Sequence, residues 1–367
     1  MQIGKYLSLA LLGATAVAAQ AQNQTQTDNN STIYDLLSAP DNNLNASRFI
    51  GLVNSDKGYQ PIVNLLKNPG NLTCFVPSDG VLDKVLMVWK AYAKQHKVNI
   101  TGDYPPANMS YNNYTVSDLI TYHIVGDRVN LTNLTEHNIS TSVVHSILND
   151  SKIDHLGTGL PILIGNNASY TEFYNQTWMQ ANGSYLEYEV GNGRDDTDVD
   201  IKDVNATNGL INIISSVLIP PMAPTTVIKE VDDLDGFEEL LKKYPIIGST
   251  LNNTSNFTLF APASDALKKF NLTGMNNDTI QALVRGHLVE GVYYSPNITA
   301  NALTNDGHTN FTTFSNVTFP AYFNSTSGYI TLNNTARIVE SNIFFNNGVM
   351  HVVDSIISNN TEHDHDD

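Results

Sequence analysis

The acidic segment Asp195-Asp196-Thr197-Asp198-Val199-Asp200 is where residue types and spacing come closest to a chemical site. Alternating carboxylates suit Ca²⁺, and a pair of them could also act as acid and base on a glycan. An EF-hand loop would place Gly at position 201 and Glu at 207, where this chain has Ile201 and Thr207. The pattern therefore favours an acidic turn leading into a strand. A secreted glycan-acting hydrolase using the carboxylates of Asp195 to Asp203 is the less favoured alternative.

Other catalytic motifs are missing from the sequence. It contains no Gly-x-Ser-x-Gly elbow, no His-Glu-x-x-His pair, no phosphate-binding Gly loop and no Cys-x-x-Cys. The segment His363 to Asp367 could chelate a divalent ion weakly, but a tail of that composition is usually solvated. We therefore predict a protein that is not an enzyme, with no catalytic residue, no metal site and no cofactor.

Cys74 is the only cysteine of the chain, so no intramolecular disulfide can form. It lies in an apolar segment and is predicted to be a small buried hydrophobic residue. Pairing with a second chain is the alternative. Stability must then come from packed cores.

The elements that would position any site are built from a segment that occurs twice. Residues 71–79 read NLTCFVPSD and residues 256–264 read NFTLFAPAS, an offset of 185 residues. Thr and large apolar residues predict a short strand, Pro ends its ladder, and a helical pattern follows. The chain thus repeats a unit of strand, proline and helix.

A second pair of segments closes each repeat. Residues 208–218 read NGLINIISSVL and residues 347–357 read NGVMHVVDSII. Asn-Gly before a β-branched run is a strong hairpin signal because both residues tolerate positive φ. Each repeat is therefore expected to end in a buried strand entered through a tight turn.

Together these boxes resemble those of fasciclin-type domains. The family's opening box reads roughly Thr-x-Phe-x-Pro-x-Asp and its closing box Asn-Gly-x-x-His-x-x-Asp. The residues that carry the resemblance are Thr73, Phe75, Pro77, Asp79, Asn208 and Gly209 in the first repeat, and Thr258, Phe260, Pro262, Asn347, Gly348, His351 and Asp354 in the second. The first repeat departs from the closing box at Asn212 and Ser215, and the second departs from the opening box at Ser264.

Between the boxes the family usually carries a Tyr-His pair. Tyr122 and His123 match it in the first repeat, while His287 follows Gly286 in the second. The resemblance implies an adhesion role for Tyr122, His123 and His287. A histidine inside an apolar segment is, however, more typical of a satisfied core residue, and Asp79 is the partner that we predict for His123.

The resemblance implies an α+β fold of two tandem fasciclin-like domains, each a β-sandwich or wedge with helices packed on one side. The first repeat is longer, with insertions predicted near 90–113 and 165–195. The aromatic-rich stretch from Tyr170 to Tyr188 is interpreted as a lid over the core in preference to an exposed recognition surface. The predicted boundaries are signal peptide 1–21, flexible leader 22–30, first domain 31–219, Pro-rich linker 220–226, second domain 227–358 and acidic, His-containing tail 359–367.

The first residues indicate export. A cationic start, an apolar run of about a dozen residues and a small-residue cleavage site are typical of a secretory signal peptide. No apolar tail follows Ser358, so neither a GPI anchor nor membrane insertion is expected. The predicted destination is extracellular, at the cell surface or wall, with the vacuole as an alternative.

Glycosylation sequons point the same way. The chain contains about 27 Asn-x-Ser/Thr sequons, and we expect about half to carry glycan, mostly those on loops. The ten singled out are Asn45, Asn71, Asn99, Asn130, Asn133, Asn167, Asn256, Asn271, Asn297 and Asn310.

Net charge limits the possible partners. A formal net charge of −17 argues against nucleic acid and anionic membranes, which both need a basic surface. The sequence therefore predicts a secreted glycoprotein that mediates cell adhesion or binds extracellular or cell-surface proteins or glycans. The main alternative is a carrier that holds a small apolar ligand between sheet and helices.

Overall fold

The computed structural model describes residues 30–40, 43–95, 97, 102–111, 113–136, 141–166, 187–270, 275–325 and 327–357. The predicted signal peptide and acidic tail lie outside these residues, as does nearly all of the predicted leader. So does the aromatic-rich stretch, apart from its last two positions.

Short helices precede the opening strand of the first domain, and one long helix follows it. Thr32 caps the first helix in a capping box with Asp35. The long helix buries Val81, Leu82, Leu86 and Trp89 along one face. The helices are α1 Ile33–Ser38, α2 Ser47–Asn54, α3 Gln60–Lys67, α4 Asp79–Gln95, α5 Val116–Tyr122 and α6 Leu131–Glu136, with a 3₁₀ turn at Lys57–Tyr59.

The first domain is organised on a seven-stranded sheet in the order β4-β1-β9-β8-β7-β6-β5. The opening strand β1 runs parallel to the closing strand β9 and antiparallel to β4. A bridge between Val125 and Ser146 joins the two edges, so the sheet curls on itself. The strands are β1 Leu72–Pro77, β4 Ile124–Val125, β5 Thr141–His145, β6 Pro161–Asn166, β7 Tyr188–Gly191, β8 Thr197–Ala206 and β9 Gly209–Ile214; β2 Ser110–Tyr111 and β3 Tyr114–Thr115 form a separate hairpin.

The second domain repeats this topology strand for strand. Its sheet has the order β11-β10-β16-β15-β14-β13-β12, and a bridge between Val289 and Thr313 joins its edges. The strands are β10 Phe257–Pro262, β11 Leu288–Glu290, β12 His308–Thr312, β13 Thr318–Phe323, β14 Ile330–Leu332, β15 Ala336–Phe345 and β16 Gly348–Val353. The helices are α7 Pro224–Val227, α8 Asp235–Lys243, α9 Pro245–Asn253, α10 Ser264–Lys269, α11 Asn277–Arg285 and α12 Ser295–Thr304, with 3₁₀ turns at Ile228–Glu230 and Asp232–Leu234.

Each domain has two cores, because successive side chains of a strand point to opposite faces. In β1, Cys74 and Val76 face the helices, whereas Phe75 faces the interior of the curled sheet. Phe260 takes the corresponding interior position in the second domain, next to Phe311 and Phe319. The repeated box therefore supplies the strand that both cores share.

The closing boxes form the predicted hairpins. Strands β8 and β9 pair antiparallel with Ala206 opposite Gly209, and β15 and β16 pair with Phe345 opposite Gly348. Both glycines press against the opening strand, where a side chain would collide with the carbonyl oxygen of Leu72 or of Phe257. Neither Asn-Gly pair has a positive φ, so the close approach, and not the turn conformation, explains the Gly of each box.

The extra residues of the first domain enlarge particular elements. Its helix α4 has 17 residues, whereas the corresponding α10 has 6. The second extra stretch lies between β6 and β7, outside the described residues. Tyr188, which the sequence analysis grouped with that stretch, is instead a buried residue of β7.

The segment that joins the two sheets packs against the first domain. Tyr114 donates to the carbonyl oxygen of Pro221 at 2.6 Å, and helix α7 begins at Pro224. The β7–β8 turn of the first domain meets β15 of the second at Gly193, where a side chain would collide with the carbonyl oxygen of Asn342. The two domains thus touch through backbone as well as through side chains.

Candidate functional site

His123 follows the last residue of α5 and is buried, 3% exposed. Its Nε2 accepts the Leu218 N–H at 2.9 Å, so its Nδ1–H donates to the Leu119 carbonyl oxygen at 2.7 Å. Desolvation lowers the pKa of His123 to about 4. The side chain is neutral near pH 7 and ties the end of α5 to the chain that follows β9.

His287 makes the same two bonds in the second domain. Its Nε2 accepts the Ile357 N–H at 3.0 Å, and its Nδ1–H donates to the Leu283 carbonyl oxygen at 2.9 Å. Burial lowers the pKa of His287 to about 4 as well. Tyr122 is fully buried and donates to the Pro161 carbonyl oxygen at 2.6 Å. The prediction of satisfied core histidines is confirmed, and a binding role for these three residues stays a prediction.

The predicted bond between His123 and Asp79 is wrong. Asp79 instead accepts the Arg48 N–H at 2.6 Å and the Ser47 hydroxyl at 2.8 Å. The reason lies in helix α2, whose N-cap Ala46 has no side-chain acceptor for the free N–H groups of its first turn. The carboxylate of Asp79, the first residue of α4, supplies that acceptor.

Ser264 performs the same task with a hydroxyl. It accepts the Gly236 N–H at 2.9 Å and donates to the Asp233 carbonyl oxygen at 2.9 Å. The N-cap of α8, Leu234, also lacks a side-chain acceptor. Ser264 thus replaces Asp79 as the acceptor at a neighbouring helix, and not as a partner for histidine.

The Asn of each closing box joins the hairpin to the first helices of its domain. Asn208 accepts the Ile33 N–H at 2.8 Å and donates to the carbonyl oxygens of Leu66 and Asn68, both at 2.9 Å. Asn347 donates to Leu251 and Thr254 at 2.8 and 2.7 Å, but its Oδ1 is buried without a donor among the described residues.

A proline explains that difference. The Thr207 N–H bonds to the Ser31 carbonyl oxygen, and the Asn346 N–H bonds to Met222 in the same way. These matched bonds make Pro224 the counterpart of Ile33, and proline has no N–H to donate. The orphaned Oδ1 of Asn347 is therefore a consequence of Pro224.

The Thr of each opening box makes hydrogen bonds to the turn that follows the antiparallel neighbour of its strand, β4 in the first domain and β11 in the second. Thr73 donates to the Asp127 carbonyl oxygen at 2.7 Å and accepts the Val129 N–H at 2.8 Å. Thr258 makes the corresponding bonds to Gly291 and Tyr293 at 2.7 and 2.9 Å. Sequence reasoning treated these threonines only as strand formers, because the two partners lie more than 30 residues away.

The closing-box position of His351 is occupied by Asn212 in the first domain. Nε2–H of His351 donates to the Tyr293 carbonyl oxygen at 2.9 Å, its Nδ1 accepts from Asn342, and burial lowers its pKa to about 4. Asn212 Oδ1 accepts the Asp203 N–H at 2.9 Å. Each side chain thus accepts a backbone N–H of the neighbouring strand, β8 or β15, at the place where the strand register shifts.

The family model of the fasciclin domain matches residues 45–220 and 232–359. The chain belongs to the fasciclin family. This fasciclin chain is 25% identical to a fasciclin-like arabinogalactan protein of Arthroderma benhamiae over 183 residues, 48% of this chain and 39% of the relative. It is 28% identical to human periostin over 160 residues, 41% of this chain and 18% of periostin.

These alignments therefore cover well under half of either curated relative. A solved FAS1 domain pair from the insect cell adhesion molecule fasciclin I covers 86% of the fasciclin chain and 97% of its own length, with 16% identity and a TM-score of 0.38. The two family matches and the two repeated sheets establish two tandem fasciclin domains of mixed α and β structure.

The acidic segment of the first fasciclin domain is divided among structural contacts. Asp195 pairs with Arg194, and Asp200 accepts the Ser215 hydroxyl at 2.7 Å. Asp203 accepts the N–H groups of Leu131 and Thr132 at 2.8 and 2.9 Å and so caps α6. Among the described residues no group of three His, Cys, Asp or Glu side chains is placed to hold a metal ion.

The sequons of the fasciclin chain lie on its surface. Of the ten singled out, Asn99, Asn167 and Asn271 lie outside the described residues. Asn130 is half-buried, and the remaining six are exposed: Asn45, Asn71, Asn133, Asn256, Asn297 and Asn310. The surface can therefore accept glycans on both domains.

The remaining sequence expectations concern Cys74 and the membrane. Cys74 is buried, and burial raises the pKa of its thiol to about 12, so the prediction of a small core residue is confirmed. No helix in the described part of the chain has the length and apolar character of a membrane span.

Proposed function

We propose that this fasciclin protein is a secreted, heavily N-glycosylated glycoprotein that mediates cell adhesion or binds extracellular or cell-surface proteins or glycans. The exposure of the sequon Asn side chains carries the proposal. Of the ten sequons singled out, seven lie in the described residues, and six of those seven have an exposed Asn, including the equivalent Asn71 and Asn256. Exposed Asn side chains in sequons on both domains are accessible for glycan attachment.

Membership of the fasciclin family supports an extracellular adhesion-type role in general terms. The fungal relative is named an arabinogalactan protein, which agrees with a glycan-bearing chain. The formal charge of −17 also favours protein or glycan partners over nucleic acid. The cell surface or wall and the extracellular space are the proposed locations, with the vacuole as the alternative destination.

The buried family residues restrict how a partner would be bound. Tyr122 is 0% exposed, His123 3% and His287 1%, and each of them uses its polar atoms inside the fold. A partner would therefore meet the outer surface that these residues support. If substitution of Tyr122, His123 or His287 reduced adhesion, the cause would be a change in the folded structure beneath the binding surface.

Expression in a secreting eukaryotic host tests the proposal. We expect the protein in the medium without residues 1–21, with a mass that falls when the glycans are removed enzymatically. Surfaces coated with the intact protein should hold cells better than surfaces coated with albumin. Retention inside the cell, an unglycosylated mass or equal cell attachment to both coatings would contradict the proposal.

A matched pair of variants separates fold from binding. Asn71→Gln and Asn256→Asp remove exposed sequons just before the opening strands without changing a described core contact, and Asp tolerates the positive φ of Asn256. If glycans at these sites take part in adhesion, attachment falls while the unfolding midpoint stays unchanged. If the protein surface itself binds, attachment is retained.

A further inference from the structure

The first domain contains an apolar cavity of about 130 Å³ between helices α2, α4 and α5. Phe49, Leu82 and Ile120 line its inner end, and Pro105 and Met109 from the first insertion cover one side. Lining residues such as Val88 are half-buried and mark an opening to solvent. The wall is almost wholly carbon, and the described residues that form it include no charged side chain.

One residue of this wall carries a buried polar atom that has no partner among the described residues. Trp89 lines the cavity and is 7% exposed, yet its indole N–H has no acceptor among the described residues. A buried donor without an acceptor costs free energy, so such a group in a cavity wall indicates an acceptor that arrives with a ligand. His123 also lines the cavity, but both of its ring nitrogens are already bonded to backbone.

The second domain has counterparts of the residues at the inner end of the cavity but a shorter helix beside them. Phe237, Leu267 and His287 are the counterparts of Phe49, Leu82 and His123, as the matched hydrogen bonds to Asp79 and Ser264 and at the two histidines indicate. Helix α10, however, ends at Lys269, so no residue of that helix corresponds to Trp89. Part of the cavity wall, Trp89 of the longer α4 together with Pro105 and Met109, thus comes from elements in which the first domain differs from the second.

A cavity in the second domain, about 170 Å³, has a different character. It lies beside α9 and α11 and includes Thr250, Gln281 and Arg285 in its wall. All three have polar groups that can form hydrogen bonds with water. None of the three has a buried polar atom without a partner among the described residues. It gives no comparable indication of a ligand.

We propose that the first domain binds a small, neutral, apolar molecule with a ring-sized body and one hydrogen-bond acceptor, such as a ketone, ester or ether oxygen, which accepts from the Trp89 indole N–H. The size follows from the volume, since a dry apolar cavity of about 150 Å³ takes up benzene. The neutrality follows from the uncharged wall, because a buried charge without a partner is strongly disfavoured. This binding is independent of the proposed adhesion.

Two nearly isosteric probes test the acceptor. Acetophenone has a carbonyl oxygen where α-methylstyrene has a CH₂ group, and both are small neutral molecules. With the full-length secreted protein, calorimetry should show acetophenone binding about fivefold more tightly, the worth of one hydrogen bond. The chain has 2 tryptophans, so nitrogen-15 tryptophan labelling gives a simple indole spectrum in which acetophenone alone should move the Trp89 N–H downfield.

Three variants locate the site. Trp89→Phe keeps an aromatic wall and should abolish the preference for acetophenone. Val88→Phe fills the cavity from its half-buried mouth and should weaken both probes at least tenfold. Met87→Phe is the matched control, because Met87 lies next to it on α4 but is 71% exposed, and it should bind both probes like the wild type.

Several results would overturn the proposal. Equal affinity for the two probes with an unmoved indole signal would show that Trp89 takes no acceptor. Undiminished binding by Val88→Phe would place the probes elsewhere. Dimerisation that Val88→Phe abolishes, without probe binding, would assign the apolar opening to a second copy of the chain. Cell attachment should be unchanged in Val88→Phe, which keeps this test separate from that of adhesion.

Discussion

The two domains share one sheet topology but satisfy the same backbone groups with different side chains. Asp79 and Ser264 each accept an N–H from the first turn of a neighbouring helix, one as a carboxylate and the other as a hydroxyl. Asn212 and His351 each accept an N–H from an irregular strand. What the duplicated fold retains is therefore a hydrogen bond at a fixed place, and more than one residue type can make it.

The domains also differ in what has been added to them. The first has a 17-residue α4, the insertion that follows it and an apolar cavity between them. The second has a short α10 and two buried neutral histidines, His287 and His351, where the first has only His123 at equivalent positions. The first domain thus has an apolar cavity beside its longer helix, and the second has one more buried neutral histidine at the equivalent positions.

The largest predicted difference between the domains appears in acid. A buried histidine with a pKa of about 4 in the folded state and 6.5 in the unfolded state does not reduce the free energy of unfolding above pH 6.5, where it is neutral in both states. As pH falls from 6.5 towards 4, the unfolded state binds the proton and the free energy of unfolding decreases. At pH 5 each such residue costs about 2 kcal/mol. The buried histidines alone should cost the second domain about 4 kcal/mol and the first about 2 kcal/mol between pH 7 and pH 5. In the first domain, burial raises the pKa of Asp196 to about 6, which offsets part of this loss, whereas burial lowers the pKa of His145, which adds to it.

Pulse proteolysis in urea with mass spectrometry of the fragments measures the two domains separately. The Cys74 thiol provides a second probe, because this buried side chain reacts only when the first domain opens. In His351→Asn, which copies Asn212, the loss of stability of the second domain between pH 7 and pH 5 should fall by about 2 kcal/mol, the contribution of His351. Equal losses in both domains, or an unchanged slope in this variant, would remove the distinction.

The next largest effect concerns the Asn of the closing boxes. Asn208→Ala removes three buried hydrogen bonds and should cost about 3 kcal/mol. Asn347→Ala removes two strong hydrogen bonds, both donated by Nδ2, because Oδ1 of Asn347 accepts none among the described residues. The expected loss of unfolding free energy is therefore about 2 kcal/mol. Urea unfolding of each domain gives the free energies. A larger loss in the second domain would contradict the assignment of the orphaned oxygen.

The helix caps supplied by the neighbouring helix give a smaller effect. Asp79→Ala and Ser264→Ala should each cost about 1 kcal/mol, because each leaves an N–H of a first turn without its acceptor. The exchanges Asp79→Ser and Ser264→Asp keep an acceptor and should change stability by less than about 0.5 kcal/mol. Thermal unfolding followed domain by domain checks all four. Exchanges as costly as the alanine variants would mean that the residue types are not interchangeable.

The strand boxes could be predicted from sequence because their information is local. The apolar run ending at Pro77, its repeat ending at Pro262 and the two Asn-Gly turns each specify an element within about ten residues. Long-range polar partners could not be predicted in the same way. His123 donates to one backbone carbonyl and accepts from one backbone N–H, and Asp79 accepts the backbone N–H of Arg48. Almost every residue carries such groups, so the sequence holds no trace of which one is used.

The cavity was beyond sequence reasoning for a related reason. Trp89 and Leu86 lie at helical spacing, which predicts a buried face but not how completely that face is covered. Whether the covering segment at Pro105 fills the space or leaves about 130 Å³ depends on packing in three dimensions. The sequence could suggest a carrier, but not a site for its ligand.

The smallest predicted effect tests why the closing box of the second domain is incompletely bonded. Pro224→Ala restores an N–H at the position of Ile33, and it should donate to Asn347 Oδ1 as Ile33 does to Asn208 at 2.8 Å. That bond is worth about 1 kcal/mol, but removing proline frees the unfolded chain by nearly as much. The variant alone should therefore change stability little. A double-mutant cycle isolates the bond, since Asn347→Ala should cost about 1 kcal/mol more in the Pro224→Ala background than in the wild type. No coupling would mean that α7 does not place its first N–H where α1 does, and the correspondence of the two domains would then begin only after Pro224.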